Sequence, residues 1–356
     1  MRYSATYKKY TLQFINPAGT SRGVYRHKVS YFLFLGGMEN RLSGIGECNI
    51  LSGLSIDDVP GYEEKLREVC EAINSGADPG EIDLHDFPSI AFALETALSD
   101  LKNSGSKVLF PSSFTKGESG IVTNGLIWMG SEPEMKQRIA EKLQQGFHTI
   151  KMKIGALNWE AEKSLLTALR KEYDSSVITL RVDANGAFNA KNVFGMMDDL
   201  AKLDVHSIEQ PVAKGNHRLM AEVIKNCEVP VALDEELIGI NNKTEKQQLT
   251  AFLKPAFLIL KPSLLGGFQQ CSEWIDVAGE HNAGWWATSA LESNIGLNAI
   301  AQWTAVTLSD GSTVPQGLGL GNLYHNNIPS PISLKGETLF YDPSKVWDLS
   351  SINRKA

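Results

Sequence analysis

The rhythm of apolar and polar positions changes near Gly120. Before it, Tyr7–Ile15 and Val24–Gly36 alternate as strands do, on either side of the turn-rich Asn16-Pro17-Ala18-Gly19. Asp57–Asn74 and Ser89–Lys102 space their apolar residues as helices do. Strands followed by helices, without βα alternation, predict a small α+β unit up to about Leu109. After Gly120 short apolar runs alternate with amphipathic stretches. They are Ile121–Met129 then Glu132–Gln145, Thr149–Ile154 then Trp159–Tyr173, Val177–Val182 then Ala190–Leu203, and Ser207–Val212 then Arg218–Lys225. Val231–Leu237 then Lys243–Phe252, Phe257–Pro262 then Phe268–Glu280, Gly284–Ala290 then Asn294–Ala305, and a last run Val314–Leu320 complete the series. Seven βα repeats and one further strand are the composition of a (β/α)8 TIM barrel, with an open doubly wound sheet as the alternative. The predicted architecture is α/β: an α+β capping domain over 1–115, a (β/α)-barrel over 116–325, and a C-terminal segment, 326–356, returning to the capping domain.

Composition narrows the functions open to such a chain. Across 356 residues, 42% are hydrophobic, enough for one large core and a smaller one. Lys and Arg total 34 against 41 for Asp and Glu, so the net charge of −7 leaves no basic footprint for nucleic acid. No apolar run reaches the length of a membrane span, and the first residues alternate instead of forming a signal-peptide core. Cys48, Cys70, Cys227 and Cys271 are scattered with no C-x-x-C pair, which fits a reducing cytoplasm better than a disulfide or zinc framework. No G-x-G-x-x-G follows the first barrel strand, so a dinucleotide site is not expected. The glycine-rich Gln316-Gly317-Leu318-Gly319-Leu320-Gly321 lacks the Lys-Ser/Thr of a phosphate loop, and its glycines suit close approach of a ligand to the backbone. With nucleic acid and membrane set aside, the expected partner is a small molecule, and the strand-end residues below make it a carboxylate. The composition is compatible with a homo-oligomer.

Barrel enzymes keep their chemistry where strands end at the C-terminal face. There the sequence places Lys151 and Lys153 on strand two, Asp183 and Asn185 on strand three and Glu209 on strand four. Asp234 and Glu235 follow on strand five and Lys261 on strand six. Alternate strand residues share a face, so Lys151 and Lys153 point the same way. The successive intervals Asp183 to Glu209, Glu209 to Asp234 and Asp234 to Lys261 are 26, 25 and 27 residues, each about one βα unit, so these groups recur at similar heights on successive strands. One Asp at a strand end is ordinarily a helix cap or turn former, and a lone Lys there is a solvated rim residue. A set on five consecutive strands is not explained that way. Three converging carboxylates without His or Cys suit a hard cation, Mg²⁺ first and Mn²⁺ second. A cation of that kind stabilises the charge that develops when a proton leaves the carbon next to a carboxylate, and a lysine with a lowered pKa is a fitting base.

Lys-x-Lys at 151–153, Asp183-Ala184-Asn185, Glu209-Gln210-Pro211, Asp234-Glu235 and Lys261 resemble the motifs of the enolase superfamily, muconate-lactonising subgroup, over nearly the whole chain. The resemblance implies Asp183, Glu209 and Asp234 as metal ligands, with Asn185 and Glu235 in supporting roles around the ion. It also implies Lys153 as the base, Lys151 as its electrostatic aid, and Lys261 as the group on the opposite face of the substrate. Within the subgroup it points to the dehydration of a succinyl-hydroxycyclohexadiene carboxylate on the way to menaquinone. Racemisation of N-succinylamino acids and epimerisation of dipeptides are the alternatives, and a barrel binding metal and organic acid without turnover is an alternative of another class. Against epimerisation, the eighth strand lacks the Asp-x-Asp that holds a dipeptide ammonium in that branch. Ser289 and Leu291, in Ser289-Ala290-Leu291-Glu292-Ser293, and Arg22, in a loop of the first unit, are the expected substrate contacts. Leu51 and Leu54 would add apolar contact from a second capping loop. His206 and Trp285-Trp286 read as packing residues.

Overall fold

In a computed structural model, residues 3–20, 23–37, 40–155, 158–309, 312–319 and 323–352 are described. The chain opens with three antiparallel strands, β1 (Tyr3–Thr20), β2 (Gly23–Gly37) and β3 (Asn40–Asn49), in the order β1-β2-β3. Two helices, α1 (Tyr62–Asn74) and α2 (Pro88–Lys102), cover one face of this sheet and close a core around Leu33, Leu35, Leu66, Ile73, Ile90 and Leu94. The expected first helix begins five residues late because Pro60-Gly61 interrupts it, with Gly61 at φ 89°. Asp57, expected in that helix, instead accepts from the backbone and hydroxyl of Ser89 at 2.9 and 2.6 Å and so caps α2 from another part of the chain.

Strand β3 was absent from the periodicity, and its glycines explain why. A Cβ on Gly44 would lie 1.9 Å from the carbonyl oxygen of Ala97, and one on Gly46 would lie 1.8 Å from that of Ala93. Helix α2 rests directly on the strand backbone, which only glycine permits. Gly46→Ala is therefore expected to push helix and strand apart at a cost of about 3 kcal/mol or more, seen as a thermal midpoint roughly 5 °C or more lower.

The second part begins with β4 (Ile121–Val122) and β5 (Gly125–Ile127), followed by α3 (Glu132–Gln144), β6 (Thr149–Lys153), α4 (Trp159–Glu172), β7 (Thr179–Asp183), α5 (Val193–Lys202) and β8 (Ser207–Glu209). It continues through α6 (His217–Asn226), β9 (Val231–Leu233), α7 (Lys243–Leu253), β10 (Phe257–Leu260), α8 (Pro262–Leu265), α9 (Phe268–Glu280), β11 (Gly284–Ala287) and α10 (Asn294–Thr307). Strands β5 to β11 form one curled parallel sheet in sequence order. Residues 316–317 stitch its two edges together. Gln316 bridges Thr123 and Gly317 bridges Thr288, both parallel, with Gln316 N donating to Val122 O at 2.8 Å and Gly317 N to Ala287 O at 2.7 Å.

Along these strands Ile150, Met152, Leu180, Val182, Ile208, Leu233, Leu258 and Leu260 face outward into the helical layer. Inward-facing Ala232, Ile259 and Trp286 pack with Phe257. The Arg181 guanidinium lies 4.0 Å from the centre of the Trp286 ring and donates to Pro315 O at 2.8 Å, plugging the floor below the carboxylates. Burial holds its pKa down at about 10. Strands β12 (Ile332–Lys335) and β13 (Thr338–Tyr341) form a hairpin whose second strand pairs with β4. Ile328 and Ile352 pack against Phe32 and Ile45 of the first sheet. Among the described residues no helix is long and apolar enough to cross a membrane.

A buried polar seam joins the first sheet to the parallel one. Glu47 on β3 accepts from Ser293 N at 3.0 Å, Ser293 Oγ at 2.6 Å and Gly296 N at 3.1 Å, capping α10. Asn49 Nδ2 donates to Ser263 Oγ and Ala290 O, each at 3.0 Å, and to Glu292 Oε1 at 3.2 Å. Lys28 donates to Ser30 Oγ at 2.7 Å, contacts Asn49 Oδ1, and stands 3.6 Å from Glu47. Burial lowers the pKa of Lys28 and raises that of Glu292.

Candidate active site

The pleat and register of the parallel sheet bring the predicted groups together. Lys153 pairs with Asp183, Asp183 with Glu209 and Glu209 with Ala232 across successive strands, and Asp234 lies two residues beyond Ala232. Side chains opposite one another on adjacent strands share a face, so three of the predicted groups form one row. Lys261 follows the last residue of β10, which stands four places from β6 in the strand order.

The contacts are short and buried. Lys151 Nζ sits 3.0 Å from Asp183 Oδ2 and 2.5 Å from Glu209 Oε2. Lys153 Nζ donates to Asp183 Oδ2 at 2.9 Å and to Asn185 Oδ1 at 2.7 Å. Asn185 Nδ2 donates to Glu235 Oε1 at 3.0 Å, placing Glu235 behind Asn185. Lys261 contacts Asp234 directly and lies 3.9 Å from Glu209 Oε1.

Burial works against the charged forms of Lys151, Lys261, Asp183 and Glu209, and their neighbours decide the outcome. For Lys151 the carboxylates of Asp183, Glu209 and Asp234 outweigh burial, and its pKa stands above the ordinary lysine value. Lys261 is raised against burial by Asp234 and Glu209. Asp183 is held well below the usual carboxylate range because Lys151, Lys153 and Lys261 overcome its burial. Glu209 goes the other way: burial and the neighbouring Asp183 charge push it up against the pull of Lys151.

Among the described residues no three acidic, His or Cys side chains are already gathered as a ligand set; each carboxylate leans on a lysine instead. The residues nonetheless fit a hard cation. Asp183, Glu209 and Asp234 supply only oxygen donors, and Glu209 Oε1 is buried without a hydrogen-bond partner among the described residues. An ion there would satisfy that oxygen and would relieve the like-charge repulsion that raises Glu209.

Lys151, Lys153, Asp183, Asn185 and Lys261 line a cleft of about 710 Å³, counted to its open mouth, a size suited to a small organic ligand. The opposite wall is Leu126, Trp128, Ser289, Ala290, Leu291, Gly317 and Gly319, with Leu51, Leu54 and Tyr25 from the first unit. Ser289 and Leu291 thus both reach the cleft. The Ser289 hydroxyl donates to Glu292, so toward the cleft it offers only an acceptor. Arg22 lies outside the described residues. His206 stacks on Phe257 outside this cleft, and Trp286 belongs to the packed floor.

Two lining residues escaped the sequence reading. Asn124 and Thr288 are nearly buried, and Asn124 Oδ1 and Thr288 Oγ1 have no partner among the described residues. For Asn124 a signal existed: Asn124, Leu126 and Trp128 occupy alternate positions on the first barrel run. Three non-glycine residues around the site, Asn185, Gln210 and Leu291, hold left-handed backbone at φ 45°, 42° and 64°. Such strain concentrates where surroundings fix a side chain for a purpose.

The sequence model of the "Enolase C-terminal domain-like" family matches residues 134–337. The o-succinylbenzoate synthase of Desulfotalea psychrophila is 39% identical over 94% of this chain and 98% of its own length. The crystal structure of MenC from the same organism superposes with a TM-score of 0.84 and 34% identity, covering 96% of this chain and all of that one. A dipeptide epimerase from Enterococcus faecalis, crystallised with Mg and L-Leu-L-Tyr, has a TM-score of 0.81 at 19% identity, covering 96% of this chain and 97% of its own, a likeness of fold. This chain belongs to the enolase superfamily, in the family that holds the o-succinylbenzoate synthases.

Proposed function

We propose that the chain is an o-succinylbenzoate synthase, a magnesium-dependent lyase of menaquinone synthesis that dehydrates 2-succinyl-6-hydroxy-2,4-cyclohexadiene-1-carboxylate. The observation that carries the reading is the pair of lysines, Lys153 and Lys261, four strands apart in one cleft, with Asp183 beside them and Glu209 and Asp234 in contact with lysines just beneath. We read the stitched sheet as a closed (β/α)8 barrel, in which strands four places apart face each other across the mouth. The chain divides, in this reading, into 1–115, 116–325 and 326–356.

Asp183, Glu209 and Asp234 would hold Mg²⁺, with Mn²⁺ as the substitute. When bound, the ion supplies positive charge that stabilises the substrate carboxylate as its α-carbon loses a proton. Lys153, acting as the free amine, takes that proton from C1; the electron pair spreads onto the C1 carboxylate and then forms the C1–C6 double bond as C6 gives up its oxygen. As that C6–oxygen bond breaks, the Lys153 ammonium returns its proton to the departing hydroxyl, releasing water and an aromatic ring. Proton removal and return thus fall on one face. Lys261 stays charged on the opposite face and stabilises the developing negative charge. Asn185 fixes the Lys153 ammonium through its Oδ1 and is fixed in turn by Glu235. Gly317 and Gly319 line the cleft with backbone alone, because a Cβ on them would strike Thr288 Oγ1 and Thr123 Oγ1, each at 2.4 Å.

The test is an ultraviolet assay of the purified protein with this cyclohexadiene carboxylate and Mg²⁺. Turnover to the aromatic product, lost in EDTA and restored by Mg²⁺, is the expected result. No dehydration, together with α-deuterium uptake into N-succinylamino acids in D₂O, would replace the reading with a racemase.

A further inference from the structure

We propose that Gln210 is a positioning residue that sets the spacing of the three carboxylates; the inference rests on the metal reading above. Gln210 directly follows Glu209, is fully buried, and takes no part in the chemistry just described. Its contacts run to all three strand ends that carry the carboxylates. Gly186 N, three residues after Asp183, donates to Gln210 O at 2.7 Å. Gln210 N donates to Ala232 O at 2.9 Å, two residues before Asp234. Its side-chain Oε1 accepts from Asp234 N at 3.2 Å and from Glu236 N at 3.4 Å. Its Nε2 donates to Val212 O at 3.0 Å and to Glu236 Oε2 at 2.9 Å.

Glu236 anchors this bracket from outside. Its Oε1 accepts from Gly215 N at 2.8 Å and meets His217 Nε2 at 2.7 Å. The left-handed backbone of Gln210, φ 42°, is what directs one peptide to strand β7 and the other to strand β9 at once. An L-residue keeps that conformation only where its surroundings over-determine it, and here the side chain, with both amide atoms used, supplies the determination. A main-chain ladder holds strands a fixed distance apart, but the ladder between β8 and β9 ends at Glu209–Ala232, short of Asp234. Beyond that point the amide of Gln210 takes over as the link between the Glu209 and Asp234 backbones.

The carboxylates repel one another, and contacts with Lys151, Lys153 and Lys261 offset that repulsion. A rigid link between their backbones lowers the rearrangement needed when a cation replaces the lysine contacts. Loss of the link should therefore appear as weaker cation binding, out of proportion to any loss of stability.

The probe is Mn²⁺, with the free ion counted by electron paramagnetic resonance, applied to the full chain. Gln210→Met keeps the length of the side chain and removes both polar ends. Glu236→Gln keeps the shape of the anchor and weakens its grip, and it carries the test if Gln210→Met fails to fold. Leu169→Ala, a core change on α4 away from the cleft, is the control for general destabilisation. The expected result is Mn²⁺ binding about tenfold weaker in Gln210→Met and a few-fold weaker in Glu236→Gln. Leu169→Ala should lower the thermal midpoint and leave Mn²⁺ affinity alone. Unchanged affinity in the folded Gln210→Met chain, or an equal loss in Leu169→Ala, overturns the proposal. Absence of binding by the unsubstituted chain overturns the metal reading, and this inference with it.

Discussion

Lys153→Arg should be as inactive as Lys153→Ala, each losing about 10⁴-fold in turnover. The arginine variant is the sharper test, because it keeps the positive charge beside Asp183 and removes the ability to accept a proton at neutral pH. If Lys153 served only as a cation, arginine would substitute for it. Neither change should unfold the chain. Asp183 keeps Lys151 at 3.0 Å, so loss of Lys153 does not strand a buried carboxylate. Lys151→Ala is the harsher substitution for stability, since it takes the same partner from Asp183 and Glu209 together. Steady-state rates on the cyclohexadiene carboxylate, with circular dichroism to confirm folding, decide the matter. Substantial activity in Lys153→Arg would remove Lys153 from the role of base.

Glu209→Gln should separate stability from function. Glu209 is buried and its pKa is raised by burial and by Asp183, so its charge is a cost to the metal-free fold. Glutamine keeps the shape, keeps an oxygen for Lys151, and removes the repulsion. In EDTA the thermal midpoint is expected to stay level or rise by about 1–3 °C. Loss of a charged ligand should weaken Mg²⁺ binding by about 100-fold or more and turnover with it. Thermal melts in chelator and a Mg²⁺ titration of activity read both effects. A midpoint that falls by several degrees with Mg²⁺ dependence intact would make Glu209 a structural partner of Lys151 and not a ligand.

The carboxylate row was legible because strand geometry is regular. Lys153, Asp183 and Glu209 sit at equivalent heights on neighbouring strands, so their spacing in sequence translates directly into proximity. The first barrel run was harder. Ile121–Met129 reads as one strand, but residues 121–122 serve the C-terminal hairpin and residues 125–127 the parallel sheet, a division made by partners far away in the chain. Strand β3 vanished from the pattern because its glycines answer to the helix above it and carry no side chains to alternate. The polar seam was illegible for a similar reason. Lys28, Glu47 and Asn49 look like ordinary surface positions until residues more than two hundred places away cover them. Gln210 offered only its place between a carboxylate and a proline; its value lies in backbone angles and partners that no periodicity reports.

That seam also limits how the enzyme breathes. Lifting the antiparallel sheet off the parallel one would part Glu47 from the helix it caps and Asn49 from Glu292. It would leave polar and charged groups facing apolar neighbours until water arrived. Rocking of the whole sheet would break these bonds together, whereas the turn around Leu51–Leu54 and the Tyr25 side chain, which donates to Ser52 O at 2.6 Å, lie at the cleft outside the seam. Movements of single turns run in nanoseconds to microseconds, faster than domain swings. In the proposed dehydration the substrate therefore meets walls pinned by this seam, and the rim turn is the part of the first unit that stands outside it.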